Sequence, residues 1–412
     1  MRALILSQHY WPESFQINAL AQTLAEQGVQ VEVLTGKPNY PAGAVFPGYR
    51  AWGCQRELHG AIPVHRVPLL PRKSGGVRLA LNYLAFVLSG LVFGPWMLRG
   101  KRFDVIFVYA SSPILQAIPA IFLGWLKGCP TVVWVQDLWP QSLSATGHVK
   151  NRHVLKLVEH VVRLIYRHVD LLLVQSEAFV APVRALAGDT RIVYHPNSVD
   201  DSFNAPARAP APPVPGVGSG FCVLFAGNIG SAQGIDVIVE AATLLRDETG
   251  IDFVVLGDGS RRAWMAEQVS ARGLRNVHLP GRFPVETMPA FMQQASALLV
   301  TLADEEIFSY TVPSKVQAYL AAGRPILACL NGEGARLGEA AGAGLSVRAG
   351  DGAALATAVL RLYKMSAPER DAMGVKAHQY HCQHFAHGML AGRLRALLAS
   401  CTPGDKEKSG LA

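Results

Sequence analysis

Apolar residues come in short continuous runs separated by longer stretches with helical spacing, and this alternation predicts strands and helices in turn. The first half reads as strand Ala3–Ser7, helix Gln16–Gln27, strands Val29–Thr35 and Val64–Val67, a long apolar helix, strand Val105–Tyr109 and helix Ile114–Lys127. It continues with strand Thr131–Gln136, helix His153–His168 and strands Leu171–Gln175 and Ile192–Tyr194. Strands joined by crossover helices require a parallel sheet covered on both faces. The alternation stops at Ala205–Gly220, a tract of Pro, Ala and Gly, and restarts with strand Phe221–Ala226, helix Gly234–Arg246, strand Phe253–Gly257 and helix Arg261–Arg272. Strand Val277–Leu279, helix Met288–Gln294 and strand Ala297–Thr301 follow. The expected fold is α/β, with doubly wound domains over residues 1–203 and 221–387 and a linker at 204–220. In residues 388–412 a helix near Gly388–Ala399 packs back on the first half, and a tail follows.

The apolar helix, Leu79–Leu98, changes the picture of where the chain works. Arg72, Lys73 and Arg78 precede it and Arg99, Lys101 and Arg102 follow it. The net charge of +8 is concentrated there too: residues 1–200 hold 19 of the 38 Lys and Arg but 11 of the 30 Asp and Glu. Basic flanks on both sides of an apolar helix suit an anionic lipid interface. The same length permits a membrane span, although Gly94-Pro95 is expected to break the helix, and it also permits a buried core helix. No basic helix, finger spacing or aromatic-rich strand indicates nucleic acid. Six scattered cysteines argue against a zinc ribbon or a disulfide scaffold, and the chain opens on a strand with no charged leader, so a cytoplasmic protein peripheral to the inner membrane face is expected.

The strongest chemical signal is Val312–Ile326. It reads as a loop turning into a short helix, with Pro313 at the start, Ser314 offering a cap oxygen, Lys315 in the first turn and Gly323 as the stop. Free N–H groups at such a start, with a lysine beside them, bind an anion. Two glycine loops, Gly227–Gly234 and Gly257–Gly259, follow strands where backbone can approach a diphosphate closely. With Pro196-Asn-Ser-Val-Asp200 and Phe203, these segments resemble, in order, the motifs of family-4 glycosyltransferases, and the likeness covers nearly the whole chain. It implies the GT-B architecture of two facing Rossmann-like domains, a nucleotide-diphosphate sugar as substrate, UDP-linked by expectation, and no metal or other cofactor. The donor-binding candidates are Gly227, Asn228, Gly230, Gln233, Gly257, Gly259, Arg261, Arg282, Thr311, Ser314 and Lys315.

The chain departs from the family pattern at four charges. Asn228 and Gln233 stand where many members have Arg and Lys, and Tyr310 and Ala318 where they have two glutamates. Lys315, Arg282 and Arg261 then become the candidate cations for the diphosphate. In the first half, the loop His9–Asn18 leaves a strand end and resembles the family loop that closes over donor and acceptor, and Lys37–Pro41, also after a strand, is expected to line the same crevice, which gives Gln16, Asn18, Lys37, Asn39 and Tyr40 as acceptor-binding candidates. Asp137 follows another strand, as a carboxylate for an acceptor hydroxyl or a developing positive charge, or as a helix cap. Asp137, Lys315 and Glu13 are the candidate catalytic groups. The cluster His378, His381, Cys382, His384 and His387 is expected to serve packing rather than a metal.

The wording of the motifs is nearest to that of bacterial N-acetyl-L-fucosamine transferases. It implies a retaining transferase acting on a polyprenyl-diphosphate-linked saccharide in O-antigen or capsule synthesis. Two alternatives stay open: a non-hydrolysing nucleotide-sugar epimerase, and a non-catalytic scaffold of a polysaccharide assembly complex.

Overall fold

The computed structural model describes residues 1–72, 75–145, 151–199, 203 and 210–402. The chain divides into two compact bodies, Met1–Pro196 with Gly388–Ala412, and Asn197–His387. The first runs β1 (Arg2–Leu6), α1 (Gln16–Glu26), β2 (Gln30–Thr35), β3 (Gln55–His59), β4 (Ile62–Arg66), α2 (Gly76–Met97), β5 (Val105–Ala110), α3 (Ala117–Lys127) and β6 (Thr131–Val135). After α4 (Gln141–Ala145) and α5 (Arg152–Arg167) it completes its sheet with β7 (Leu171–Val174), α6 (Val180–Ala187) and β8 (Arg191–Tyr194). The strand order is β3-β4-β2-β1-β5-β6-β7-β8, and every pairing is parallel except β3 with β4. Every residue of β5 and β6 is buried, as a parallel sheet covered on both faces demands.

β3 is an addition to the expected elements. Its sequence, Gln-Arg-Glu-Leu-His, forms an antiparallel edge hairpin with β4 in register Gln55↔Arg66, and at an edge one face stays wet. The helix in α2 also differs from expectation, because it runs through Gly94 and Pro95 to Met97. Pro95 falls in the last turn, and the Leu98 N–H bonds the Gly94 carbonyl at 3.0 Å, so the pattern resumes beyond it. α2 turns Asn82, Phe86, Gly90 and Gly94 inward. A Cβ on Gly90 would stand 2.9 Å from Pro119 of α3, so the glycine permits that approach. Val77, Leu81, Leu84, Leu88, Val92 and Trp96 face the other way and are exposed. α2 thus packs on α3 with its other face open, and it is long and apolar enough by length and composition to cross a membrane. Of its basic neighbours, Lys101 is paired with Glu32 at 2.7 Å, Arg72 lies over the Tyr40 ring at 5.6 Å, and Lys73 is outside the described residues.

The second body runs β9 (Phe221–Ala226), α7 (Asp236–Leu244), β10 (Ile251–Leu256), α8 (Arg262–Ala271), β11 (Val277–Gly281), α9 (Met288–Gln294), β12 (Ala297–Thr301), α10 (Glu306–Ser309) and α11 (Ser314–Ala322). It ends with β13 (Ile326–Cys329), α12 (Glu333–Ala340), β14 (Gly344–Val347), α13 (Gly352–Lys364) and α14 (Ala367–His384). Its sheet is parallel throughout, in the order β11-β10-β9-β12-β13-β14. α15 (His387–Ala399) then sets Ala391, Leu394 and Leu398 into the first core beside Ile17, Leu20 and Leu24 of α1.

The boundary lies earlier than residue 203. Val199 and Phe203 pack on the second core, and Gln317 donates to the Asn197 carbonyl at 2.8 Å. The expected linker is partly structural as well: Val214 is buried in that same core, while residues 204–209 lie outside the described residues. Asp200 and the tail beyond Thr402 are also outside them.

Candidate functional site

Two glycine loops stand at the carboxyl ends of β9 and β10, where a parallel sheet places ligands. They are laced by main-chain bonds: Gly227 N–H to the Leu256 carbonyl at 2.9 Å, Ile229 N–H to Asp258 at 2.8 Å, and Arg261 N–H to Ile229 at 2.9 Å. This closeness fixes the residue type. A Cβ on Gly257, at φ 143°, would sit 1.8 Å from the Gly227 carbonyl oxygen. The loops line a cavity of about 410 Å³ with Arg282 and the apolar Phe283, Val285 and Met288.

The two residues that replace the family's charges have a different task. The Gln233 side-chain oxygen accepts from the Asn228 amide and from the Gly230 N–H, both at 3.2 Å, and the Thr301 hydroxyl donates to the Gln233 carbonyl. Asn228 and Gln233 therefore brace the loop and bring it no charge. Tyr310 bonds Glu306 at 3.1 Å and Ala318 is buried, so neither supplies a carboxylate to the loop.

Lys315 is the cation nearest this loop's first glycine. α11 carries it so that Nζ lies 3.6 Å from the centre of the Phe225 ring on β9. A Cβ on Gly227, at φ 142°, would stand 2.5 Å from Lys315 Cε and 2.9 Å from Nζ, so the lysine lies directly against a residue that lines the cavity. Nζ is buried and has no hydrogen-bond partner among the described residues. Burial pulls its pKa down to about 7. A buried cation without an anion is costly, and an anion at Gly227 could offset that cost.

Several expectations for the second body are corrected. Ser314 is not the cap: Pro313 holds that position with extended backbone and no side-chain acceptor, while Ser314 is the first helical residue and is exposed. Thr311 closes its own turn by donating to the Phe308 carbonyl at 3.1 Å. Arg261 is drawn to Asp236 at 2.6 Å and stacks 4.0 Å over Trp264, which leaves exposed Arg282 as the cavity's arginine. The histidine-rich stretch does not converge. His378 bonds the Ala321 carbonyl, His384 stacks on Tyr380 at 4.3 Å, His387 meets Ser198 at 2.8 Å, and no three metal-ligating side chains meet among the described residues.

In the first body the loops after β1, β2, β5 and β6 meet at the carboxyl edge of the sheet. Glu13 is buried, and its carboxylate accepts the N–H groups of Asn39 at 2.8 Å, Tyr40 at 2.7 Å and Tyr10 at 3.2 Å, with His9 at 3.0 Å. It is a clamp between two loops and has little capacity left for a substrate. Asn18 braces the same turn, accepting from Trp11 N–H at 2.9 Å and donating to the Glu13 carbonyl at 2.7 Å. Lys37 and Asn39 are buried, Lys37 bonded to Gln55 at 3.1 Å with its pKa lowered by burial and then by Arg66. Gln16, at the start of α1, is partly exposed. Tyr40 is the acceptor candidate whose ring is open to solvent. Arg66, not anticipated from the sequence, is fully buried and donates to the carbonyls of Gly36, at 2.9 Å, and Trp11, which joins the same loops from below.

Asp137 is not a helix cap, since α4 begins at Gln141. Its carboxylate takes hydrogen bonds from the Ser112 N–H and hydroxyl, and burial raises its pKa in spite of them. Ser112 was not foreseen, and no pattern around Ser111-Ser112-Pro113 singles it out.

Comparison with known proteins agrees with this arrangement. Residues 15–198 match the model of a glycosyl transferase 4-like domain, and residues 220–365 match that of glycosyl transferases group 1. The chain is 29% identical over 342 residues, 78% of its length and 82% of the relative's, to the putative colanic acid biosynthesis glycosyl transferase WcaI of Escherichia coli K12. It is 27% identical to the probable glycosyltransferase WbjE of Pseudomonas aeruginosa, covering 69% of this chain and 72% of that one. The crystal structure of Anabaena HepE in complex with UDP superposes with a TM-score of 0.69 at 15% identity, over 97% of this chain and all of that one, and so shares the fold. Two parallel-sheet bodies, each matched by a glycosyltransferase model, with a glycine-loop cavity in the second, show that the chain belongs to the GT-B glycosyltransferases.

Proposed function

We propose that this enzyme transfers a sugar from a UDP-linked donor, held by the second body, to a polyprenyl-diphosphate-linked saccharide in the synthesis of a bacterial O-antigen or capsule. Lys315, its buried Nζ set against Gly227 and without a hydrogen-bond partner among the described residues, carries the reading. As the bond from the sugar to the diphosphate breaks, negative charge grows on the leaving oxygens, and a desolvated ammonium beside the start of α11 stabilises it most at that moment. Arg282 lies on the same cavity, and Phe283, Val285 and Met288 offer an apolar surface for a base or ribose. These groups replace a metal, and a chelator is expected to leave turnover unchanged. Asp137, whose carboxyl is raised by burial, stands at a strand end where it meets an acceptor hydroxyl or the developing charge on the sugar. Tyr40 and Gln16 contact the acceptor, and Glu13 positions their loops.

Family resemblance supports retention of anomeric configuration and N-acetyl-L-fucosamine as the sugar. The name of WcaI, a colanic acid enzyme, supports a surface polysaccharide, and HepE with UDP supports the nucleotide. The enzyme works at the cytoplasmic face of the membrane, touching anionic lipid through α2. The test is release of UDP from candidate donors with a polyprenyl-diphosphate saccharide as acceptor. Transfer with inversion, or release that Lys315→Ala does not slow at least tenfold at saturating donor, defeats the corresponding part of the proposal.

A further inference from the structure

α2 has company on its side of the first sheet. The steps β4 to β5, β5 to β6 and β6 to β7 all move the same way across the strand order, so right-handed crossovers place α2, α3 and α5 on one face, with α1 on the other. α3 packs on both α2 and α5. Lys127, at the end of α3, donates to the carbonyls of Leu98 at 2.8 Å and Lys101 at 3.0 Å, which draws the ends of α3 and α2 together. Trp96 and Trp125, 62% and 78% exposed, stand at those two ends.

α5 extends the surface with a three-sided helix. Val162, Ile165 and Tyr166 face the core, and Val154, Leu157 and Leu164 form a separate, exposed apolar stripe. Arg152, Lys156, Arg163 and Arg167 occupy the third side at helical spacing. Across the three helices the charges are Arg78, Lys127 and those four, against Glu159 alone. An apolar surface with this one-sided charge decides between occupants. A second copy would bring like charge against like charge, whereas anionic headgroups complement it while the acyl region takes the Trp and Leu side chains.

We propose that α2, α3 and α5 together form one docking surface for an anionic bilayer, with Trp96 and Trp125 anchored at headgroup level and α5 lying in the interface. This deepens the membrane contact assigned above to α2 alone.

The experiment is flotation of the full-length enzyme with vesicles of phosphatidylglycerol and phosphatidylcholine, and with phosphatidylcholine alone, at low and high salt. Binding is expected only to the anionic vesicles and is expected to weaken with salt. Trp125→Ser on α3, and Lys156→Gln with Leu157→Gln on α5, are each expected to weaken it about fivefold or more. The thermal midpoint and UDP binding of each variant, measured alongside, show that it is folded. If Trp96→Ser releases the protein while the α3 and α5 variants bind as wild type, the shared surface is refuted and α2 acts alone. If the wild type ignores vesicles and these variants instead dissolve a dimer seen by sedimentation, the surface belongs to a second copy and the proposal fails. Vesicle binding without sugar transfer would refute the proposed function and leave the docking surface standing.

Discussion

Donor binding should be coupled to a proton, and Lys315 is where the coupling resides. In the free enzyme its pKa is about 7, so at neutral pH roughly half the molecules hold a neutral amine beside Gly227. A diphosphate favours the ammonium, raising this pKa and drawing a proton from solvent on binding. The sign follows directly. Below pH 7 the lysine is charged with or without donor and affinity is flat; above it, binding must first protonate the amine and affinity falls. A charge-assisted contact of ~1.5–3 kcal/mol raises the lysine's pKa by about 1–2 units on binding and corresponds to a loss of roughly 10- to 50-fold between pH 6.5 and 9. Titration calorimetry of UDP in buffers of different ionisation enthalpy reads both the affinity and the proton uptake, expected near one half per site at pH 7. Lys315→Met should bind weakly with little pH dependence over this window. The same burial opposes folding: with a folded pKa near 7 against 10.5 for an unhindered lysine, the penalty is complete below pH 7 and gone above about 10.5. Lys315→Met without donor should therefore be more stable than wild type at pH 6, by a margin that shrinks as pH rises. Wild-type affinity that stays flat from pH 6 to 9, with no proton uptake, refutes the reasoning.

Three further outcomes follow from the two sites. Gly257→Ala puts a Cβ 1.8 Å from the Gly227 carbonyl, so the glycine loops must part and UDP affinity should fall more than tenfold, as calorimetry would show. Glu13→Gln removes the charge from a buried clamp that receives three N–H groups, at a cost of ~1.5–3 kcal/mol and about 5 °C in thermal midpoint, with UDP affinity unaltered. Asp137→Asn should lower kcat at least tenfold while UDP affinity is kept, and a wild-type kcat would remove Asp137 from the reaction.

How much of this was legible in the chain depended on whether the cause was local. Buried parallel strands such as Val105–Ala110 announce themselves because both faces need apolar side chains. Gln55–His59 does not, because an antiparallel edge strand keeps one side in water and its sequence is mostly polar. The break expected at Pro95 came from a sound local rule, but the residue fell in a final turn with few bonds left to lose. Val214 hid in a Pro- and Ala-rich tract that composition marks as a linker, yet it had a core to enter. In the sites, the glycine loops were legible because strand, loop and helix follow directly in sequence. The clamp at Glu13 was not, since its partners Asn39 and Tyr40 come from another loop.

The position of Lys315 shows the same limit and explains the missing charges. Sequence places the residue in the first turn of a helix, but its direction is set by Phe225 on β9 and by the absence of a side chain at Gly227. The family's Arg and Lys in the first glycine loop would meet a diphosphate as exposed, permanently charged groups. In this chain Asn228 and Gln233 bond to each other instead, so the loop keeps its shape without them. The cation comes from beneath, desolvated and titrating near neutrality. A single ammonium of that kind discriminates more sharply between a bound sugar diphosphate and the more highly charged leaving group than several hydrated cations would, because each charge is worth more where water is excluded. On the proposed function, the site would exchange tightness of ground-state binding for stabilisation at the moment the bond breaks, and its activity is expected to vary with pH around 7.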